Sequence, residues 1–473
     1  MSIRMVRPAA PVGVEDGLKP WAAIPELPGG KVPWLGHGPG FGKDPVLFLR
    51  AGRELAGDLF RFTLMGRPAV FACGATAHEQ VFKADEATLS AADAYPFMEP
   101  IFGSGVAFDA GPQEMARQMG HLAPLLAGSS LKSYPGVMQQ EIEQCLATWG
   151  DEGEIDLVPA ITELVGAISV RCLLGREVRE RLGPETIALY RELASGIRLA
   201  ALLNPRLPIP AFRRRDRARA RIAQELQRAI DARRHGPHTH HGDLLQSLLD
   251  SPSPQGEPVQ DDDILIGILI AMTFAGVHNS AGLAVWSGVV LLDQGVHALP
   301  PVMAELHSIM RSDSSLTVER LHRMELLGHC IREAERLYPP SFLLLRKARK
   351  AFVLEGHEIP PGTLVMLSPT VSHRMESVFS EPGRCDPSRF AQGRAEHKHP
   401  YSLIAFGGGQ HRCIGLAFAY LEIQAIWSVL LRRFHLELLG GPHRPQYATS
   451  FVAEPNSPCV LRYRRRRDDQ AQA

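Results

Sequence analysis

The stretch from Ile264 to about Leu292 constrains this chain more than any other, because it is apolar nearly all round. A helix without a polar face cannot lie on a surface, so it has to run through the centre of the molecule and be covered on every side. Asp261-Asp262-Asp263, just before it, are acidic residues that complement a helix N-terminus. Its middle, Ala275-Gly276-Val277-His278-Asn279-Ser280, breaks the apolar pattern with a glycine, a histidine, an amide and a hydroxyl. Buried polar groups need partners or water. Either a kink with internal hydrogen bonds or a polar notch facing a reactive centre would meet that need.

A second stretch carries chemistry. Phe406-Gly407-Gly408-Gly409-Gln410-His411-Arg412-Cys413-Ile414-Gly415 presents one cysteine in a glycine-rich loop. Leu416, Ala419, Tyr420, Ile423 and Trp427 follow at the spacing of one helix face. A helix start favours a thiolate through its dipole and free N–H groups and lowers the cysteine pKa, while glycines let backbone approach a large flat ligand. Cys413 is therefore a credible axial ligand for haem iron. The plainer alternative for a lone cysteine is a buried structural thiol.

A length of 473 residues implies two domains or one large enzyme-type domain. Equal numbers of acidic and basic side chains, 51 of each, argue against a nucleic-acid binder, which needs a positive field. The seven cysteines are odd in number and scattered, with no Cys-x-x-Cys pair, which favours reduced thiols over disulfides or a zinc cluster. Met1 to Gly30 is interrupted by charges and prolines, so neither a signal peptide nor a membrane anchor is expected. A cytoplasmic protein is the expectation.

Along the chain, residues up to about Pro45 should run irregularly. Phe60, Phe62 and Leu64, a turn at Gly66-Arg67-Pro68 and the run Ala69 to Ala72 predict a hairpin. Ala94 to Asp109 gathers aromatics around two prolines and two glycines and reads as a shaped loop, lining an apolar pocket or simply packing on the core. Gln113 to about Leu203 and Pro301 to Leu337 show helical spacing. The helix beginning at Phe212-Arg213-Arg214-Arg215-Asp216-Arg217 should carry a solvated basic face. The cluster His235, His238, His240 and His241 falls in a Gly/Pro/Thr loop and reads as adventitious metal binding or none. Glu333 and Arg336 share a helix face. Short strands are predicted at Phe352 to Leu354, Ile359, Leu364 to Leu367 and Cys459 to Tyr463, before an exposed basic tail at Arg464 to Arg467.

With these pieces in place the chain resembles the cytochrome P-450 haem-thiolate monooxygenases. Their diagnostic elements occur here in the family's order: a buried long helix with Ala275-Gly276, the Glu333-x-x-Arg336 helix and the Phe406 to Gly415 loop. The chain is most similar to the sterol 14α-demethylases, particularly their soluble bacterial members. Ala94 to Ala110, Phe274 to His278, Tyr338 to Arg346 and Ser368 to Arg374 carry that match.

The resemblance implies a mainly α fold with small β-sheets, a helical bundle around a buried haem plus a minor β-rich region. Residues 25–463 would form the P-450 domain, between an irregular segment 1–24 and a basic, polar tail 464–473. It implies haem b with Cys413 as iron ligand, Phe406 beside the sulfur, and Gly407 and Gly415 in the loop that holds the cofactor. Arg346 and His411 match propionate-binding positions, Tyr95 matches a phenol that joins them, and Arg117 is a looser candidate. Glu333, Arg336 and Arg389 would form a buried ion network. Tyr95, Phe97, Met98, Phe102, Phe274, Ala275, Leu343 and Leu345 would line the substrate pocket. Asn279 stands where most members have threonine, so proton delivery would fall to His278, Ser280 or ordered water. The implied activity is insertion of one atom of O2 into a C–H bond of a sterol or other polycyclic terpenoid. Electrons would come from a separate ferredoxin or flavodoxin-type donor. A hydroxylase of another secondary metabolite, or a haem-thiolate lipid-binding or sensing protein without turnover, are the competing readings.

Overall fold

The long helix is capped as its sequence requires. In the computed structural model the Asp261 carboxylate accepts the N–H groups of Asp263 and Ile264 at 2.8 and 3.3 Å, satisfying donors that have no partner inside the helix. From there helical structure continues as Asp262–Gln294, with a π-turn at Gly276–Ser280, about 50 Å at 1.5 Å per residue. Among the described residues it is the one helix long and apolar enough to cross a membrane, and here it is the core of the fold. Trp286 of this helix and Trp427, which packs on it, are fully buried, and their indole N–H groups donate to the carbonyls of Ala453 (2.7 Å) and Ala284 (2.9 Å). Gly288 makes room for this, since a Cβ there would lie 2.4 Å from the Trp427 ring. The structure describes residues 17–467 apart from 184, 198–200, 202–203, 237–241, 251–260, 295, 312–313 and 448–451.

Around the helix stand Tyr134–Leu146, Leu157–Leu173, Pro210–His235, Glu325–Leu337 and Leu416–Arg433. A five-stranded sheet lies to one side, in the order Leu59–Leu64, Arg67–Ala72, Leu364–Leu367, Leu344–Ala348, Leu89–Ser90. Smaller sheets pair Phe352–Leu354 with His357–Ile359 and join Glu152–Asp156, Val460–Arg465 and Phe434–Leu439. The mainly α fold with small sheets matches the sequence expectation.

Several local expectations need correction. The hairpin turn is Met65-Gly66, both at positive φ (50° and 75°), the conformation that suits a two-residue hairpin loop. Arg67 and Pro68 therefore already belong to the second strand, Arg67 facing Leu64. Gly38–Lys43 is helical within the segment expected to be irregular. The strand Glu152–Asp156 interrupts the helical region because it pairs with the last strand, a non-local partner. That last strand runs on through Arg464 and Arg465, so the basic stretch begins inside a sheet. The helical pattern up to Leu337 divides into Leu299–Ile309, Val318–Arg323 and Glu325–Leu337. On Pro210–His235 the basic face is not wholly solvated. Arg215 is buried and donates to the Pro205 carbonyl at 2.8 Å, and Arg233 is buried in a two-pronged pair with Asp243 at 2.6 and 2.8 Å. His238, His240 and His241 lie outside the described residues.

The helix Glu325–Leu337 is tied to the chain that follows it by an ion network that excludes water. Glu333, Arg336 and Arg389 are each fully buried. Arg336 donates to both Glu333 oxygens (2.7 and 2.8 Å) and to the carbonyls of His373, Pro382 and Arg384 (3.0, 2.7 and 3.0 Å), which accounts for all five guanidinium donors. Arg389 reaches the same carboxylate at 3.1 and 3.2 Å and also Glu396 at 2.7 Å. His373 extends the connection: Nδ1–H donates to the Arg336 carbonyl (3.2 Å), and Nε2 accepts the N–H of Ile404 (2.9 Å), where the Cys413 loop is approached. Only a neutral imidazole does both, and burial holds its pKa down to about 3.

Arg389→Met should leave Glu333 and Glu396 short of a cation and cost about 3–5 kcal/mol, measurable as a shifted denaturant midpoint with unchanged slope. The folded chain binds fewer protons at His373 than the unfolded chain between pH 6.5 and about 3. Its contribution to stability is complete above 6.5 and lost as pH falls through that window, so His373→Gln should flatten the acid side of a melting-temperature profile.

Candidate functional site

The Cys413 loop is shaped by glycines at positive φ, Gly407 at 68° and Gly409 at 59°. A Cβ on Gly409 would meet the Phe82 carbonyl at 1.9 Å, so no other residue fits there. The Cys413 N–H donates to the Phe406 carbonyl at 2.9 Å, and the Phe406 ring lies 5.9 Å from that of Tyr420. Cys413 is exposed as a residue while its sulfur is enclosed by the surrounding chain, and the N–H groups of Gly415 and Leu416, at the start of Leu416–Arg433, point at the sulfur. The expected fall in thiol pKa is not the net result: burial raises it, and those N–H groups and Arg412 offset this only in part.

The interruption of the long helix is a π-turn, Gly276–Ser280, a device that recurs at functional sites because it re-aims side chains. Ala275 is exposed although its neighbours Phe274 and Val277 are buried, so one strip of a core helix is open. His278 Nδ1–H donates back to the Phe274 carbonyl at 3.0 Å, leaving Nε2 as acceptor. Burial lowers its pKa to about 4, so the imidazole is neutral near pH 7. Asn279 accepts the Ser341 hydroxyl at 3.1 Å, which ties the π-turn to the segment leading to Leu343, Leu345 and Arg346.

The aromatic loop packs on this helix because Gly267 has no side chain; a Cβ there would sit 2.6 Å from the Phe102 carbonyl. Phe102 meets Phe274 edge-on at 5.6 Å, and Phe274 lies 4.3 Å from the His278 ring. Tyr95 stacks on Phe108 at 4.7 Å and contacts Phe97 at 5.6 Å. Its hydroxyl accepts the Leu345 N–H at 2.9 Å. Phe97 and Met98 are buried, and Leu343 is half-buried. The structure thus brings together Tyr95, Phe97, Phe102, Phe274, His278 and Leu345.

Arg346 is buried and donates to the carbonyl of Leu345 at 2.8 Å. No carboxylate pairs with it among the described residues, and burial lowers its pKa. A buried guanidinium without an acid is a receptor for an anion. His411 is turned elsewhere: Nε2 lies 3.0 Å from Glu86, whose pKa is held down to about 2 against the opposing effect of burial by His411, Ser90 and the N–H groups of Ala91 and Ala92. Arg117 is a half-exposed partner of Glu114 at 2.9 Å. Neither is joined to Arg346.

A thiol under helix N–H groups, an open strip on the facing core helix and an unpaired buried arginine fit a planar, anionic, metal-centred cofactor. Across the chain the cytochrome P450 family pattern matches residues 25–461. This chain belongs to the cytochrome P450 family. It is a P450 monooxygenase, and the family holds haem iron through a cysteine thiolate. Relatives include the sterol 14alpha-demethylase of Mycobacterium tuberculosis, 36% identical over 94% of this chain and 98% of its own length. The sterol 14-demethylase of Arabidopsis thaliana is 34% identical over 95% and 91%, and the human lanosterol 14-alpha demethylase 34% over 92% and 85%. Two solved structures share the P450 fold: a retinoic-acid-bound cyanobacterial CYP120A1 (TM-score 0.81, 24% identity, 95% of this chain and 100% of that one) and a cytochrome P450DA heme domain (0.83, 22%, 96% and 100%).

Some residues of this P450 site gave no sequence signal. His373 and Glu86 act through partners 31 and 325 positions away. Glu422 stands inside an apolar helix face, where the carboxyl in a buried run was the available clue. Cys413→Ala should abolish the thiolate-type Soret band of the reduced carbon monoxide complex. Arg346→Leu should keep that band but lower haem retention several-fold, read as haem per chain after gel filtration.

Proposed function

We propose that this P450 removes the 14α-methyl group of a sterol, and that Cys413 is the residue whose thiolate would hold the iron of haem b. Full-length relatedness to sterol 14-demethylases from a bacterium, a plant and a mammal is the observation that carries the reading. Bound haem supplies oxygen activation, which a thiolate ligand favours by donating electron density. The chain's own residues do the rest. Arg346 would hold a haem propionate by a charge-assisted hydrogen bond, with Tyr95, His411 and Arg117 as further candidates, the last two now paired with Glu86 and Glu114. Phe97, Met98, Phe102, Phe274, Ala275, Leu343 and Leu345 offer a dry wall to a rigid polycyclic substrate, and the Asn279 amide oxygen is held by the Ser341 hydroxyl. Electrons come from a separate ferredoxin or flavodoxin-type protein. A cleft of about 1040 Å³ beside the Cys413 loop, lined in part by Arg332, Lys398 and Arg412, suits an acidic donor.

Asn279 in place of threonine favours a second reading, hydroxylation of another terpenoid or secondary metabolite. With a donor protein and a 14α-methyl sterol, the preferred reading requires one formate per sterol consumed. A hydroxylated product without formate would support the second, and spectral binding without any product would indicate a lipid-binding protein. Asn279→Thr should improve coupling of electrons to product if the amide is a defect and abolish product if the amide belongs to the native chemistry.

A further inference from the structure

The basic stretch Arg464 to Arg467, which the oxygenase reading leaves without a task, borders a cleft of about 860 Å³ at the end of Leu416–Arg433 that lies away from Cys413. Its walls come from that helix end, from the last strand, Val460–Arg465, and from His307 on Leu299–Ile309. Several of its arginines are matched by acids. Arg465 lies 3.5 Å from Asp151 and donates to the Trp149 carbonyl at 3.0 Å. Arg464 stands opposite Glu152 across the sheet, and Arg433 lies 3.5 Å from Glu143. Arg432 and Arg466 are different. Both are partly buried, and neither has a carboxylate within ion-pair distance among the described residues. The Arg466 Nε–H donates to the carbonyls of Leu431 (3.0 Å) and Phe434 (3.2 Å), and its backbone N–H to that of Arg433 (2.8 Å). Glu143, the acid that acts on Arg432, is engaged by Arg433 and by the Gln139 amide at 3.0 Å.

A helix C-terminus attracts cations, and that alone accounts for one arginine here. Arg466 already meets the need, since it closes on the last carbonyls of the helix. Arg432 adds a second guanidinium and His307 an imidazole, with no acid left over to balance them. Burial, then Arg466 and Arg432, hold the His307 pKa below its ordinary value, so a neutral ring that can still donate one N–H stands beside two fixed cations. Like charges brought together and partly taken out of water are costly unless an anion joins them. We propose that this cleft binds a compound carrying more than one phosphate group, with one phosphate held between Arg432, Arg466 and His307. A guanidinium presents paired N–H donors that match phosphate oxygens, and a dianionic phosphate draws on two guanidinium groups where a single carboxylate needs one. Arg464 and Arg467, which also line the cleft, supply positive charge for a second phosphate, and the cleft is several times larger than one phosphate requires. Such a ligand ties the last strand to the helix that starts at the Cys413 loop and stabilises the folded chain by mass action.

The tests need no substrate and do not depend on the sterol reading. Holoenzyme titrated calorimetrically with inorganic tripolyphosphate at low ionic strength, where charge is least screened, should bind one equivalent and melt at a higher temperature. Arg432→Gln should weaken binding several-fold and erase the melting shift, and His307→Ala, which covers the case in which the first variant folds poorly, should also weaken it several-fold. Arg462→Gln removes the same charge outside the cleft, where Arg462 pairs with Glu154 at 2.8 Å, and should leave both readings unchanged. Vesicles bearing phosphatidylinositol bisphosphate separate the sources of phosphate. Co-sedimentation that Arg432→Gln abolishes places the phosphates on a lipid headgroup, and tripolyphosphate binding without co-sedimentation places them on a soluble compound. Equal weakening by Arg432→Gln and Arg462→Gln overturns the site in favour of general surface charge. A tetraglutamate peptide that binds as tightly as tripolyphosphate overturns the assignment to phosphate, and the absence of both tripolyphosphate binding and Arg432-dependent co-sedimentation overturns the proposal.

Discussion

The dry interior created by the long helix decides the chemistry of this protein. A helix with no wettable face, buried along its length, leaves its few polar groups in a medium where charge is expensive. Most ionisable groups beside it have therefore either found a partner or given up their charge. His278 and His373 are held neutral, Glu333 shares two arginines, and Arg346 stands ready for an anion. The helix that organises the fold thus also sets which groups near the haem site can carry protons.

Two kinds of polar cluster result, with different tasks. Around Glu333 all five Arg336 donors are used, and opposing charges balance between Glu333, Arg336, Arg389 and Glu396. Such a cluster is rigid, and through His373 and the Ile404 N–H it sets where the Cys413 loop begins. Around the π-turn the groups are deliberately incomplete: His278 keeps one free acceptor, Oε2 of Glu422 lacks an aligned partner, and Ala275 is open. Rigidity around Glu333 and unsatisfied polar atoms around the π-turn suit a centre whose ligand must not move while protons do.

Much of this was legible from sequence wherever the signal is local. Period and composition gave the long helix, the Asp261 cap and the short strands near Leu364, and the glycines around Cys413 marked its loop. Glu333 and Arg336 lie one helical turn apart, so their meeting follows from helix geometry. The hairpin was found but its turn misplaced by a residue, because Pro68 looks like a turn residue while positive φ at Met65 leaves no mark in sequence. Glu152–Asp156 went unseen because its strand character comes from pairing with Val460–Arg465, far along the chain. His411 and Arg117 show the same limit at the site, since their partners Glu86 and Glu114 compete for the charge that a propionate would take.

The sequence by itself determined that a core helix had to exist, that one cysteine stood in a backbone-exposing loop, and that a glutamate and two arginines were available to bind together. Those are properties of period, spacing and residue type, and they survive without coordinates. Only the tertiary structure decided which polar groups share a dielectric environment. Ser169, Gly276 and Glu422 belong to three different helices, and only the packing of those helices buries the Glu422 carboxyl against the Ser169 hydroxyl, where burial raises its pKa to about 8. Protonation state depends on what surrounds a group in space, and that surrounding comes from the fold.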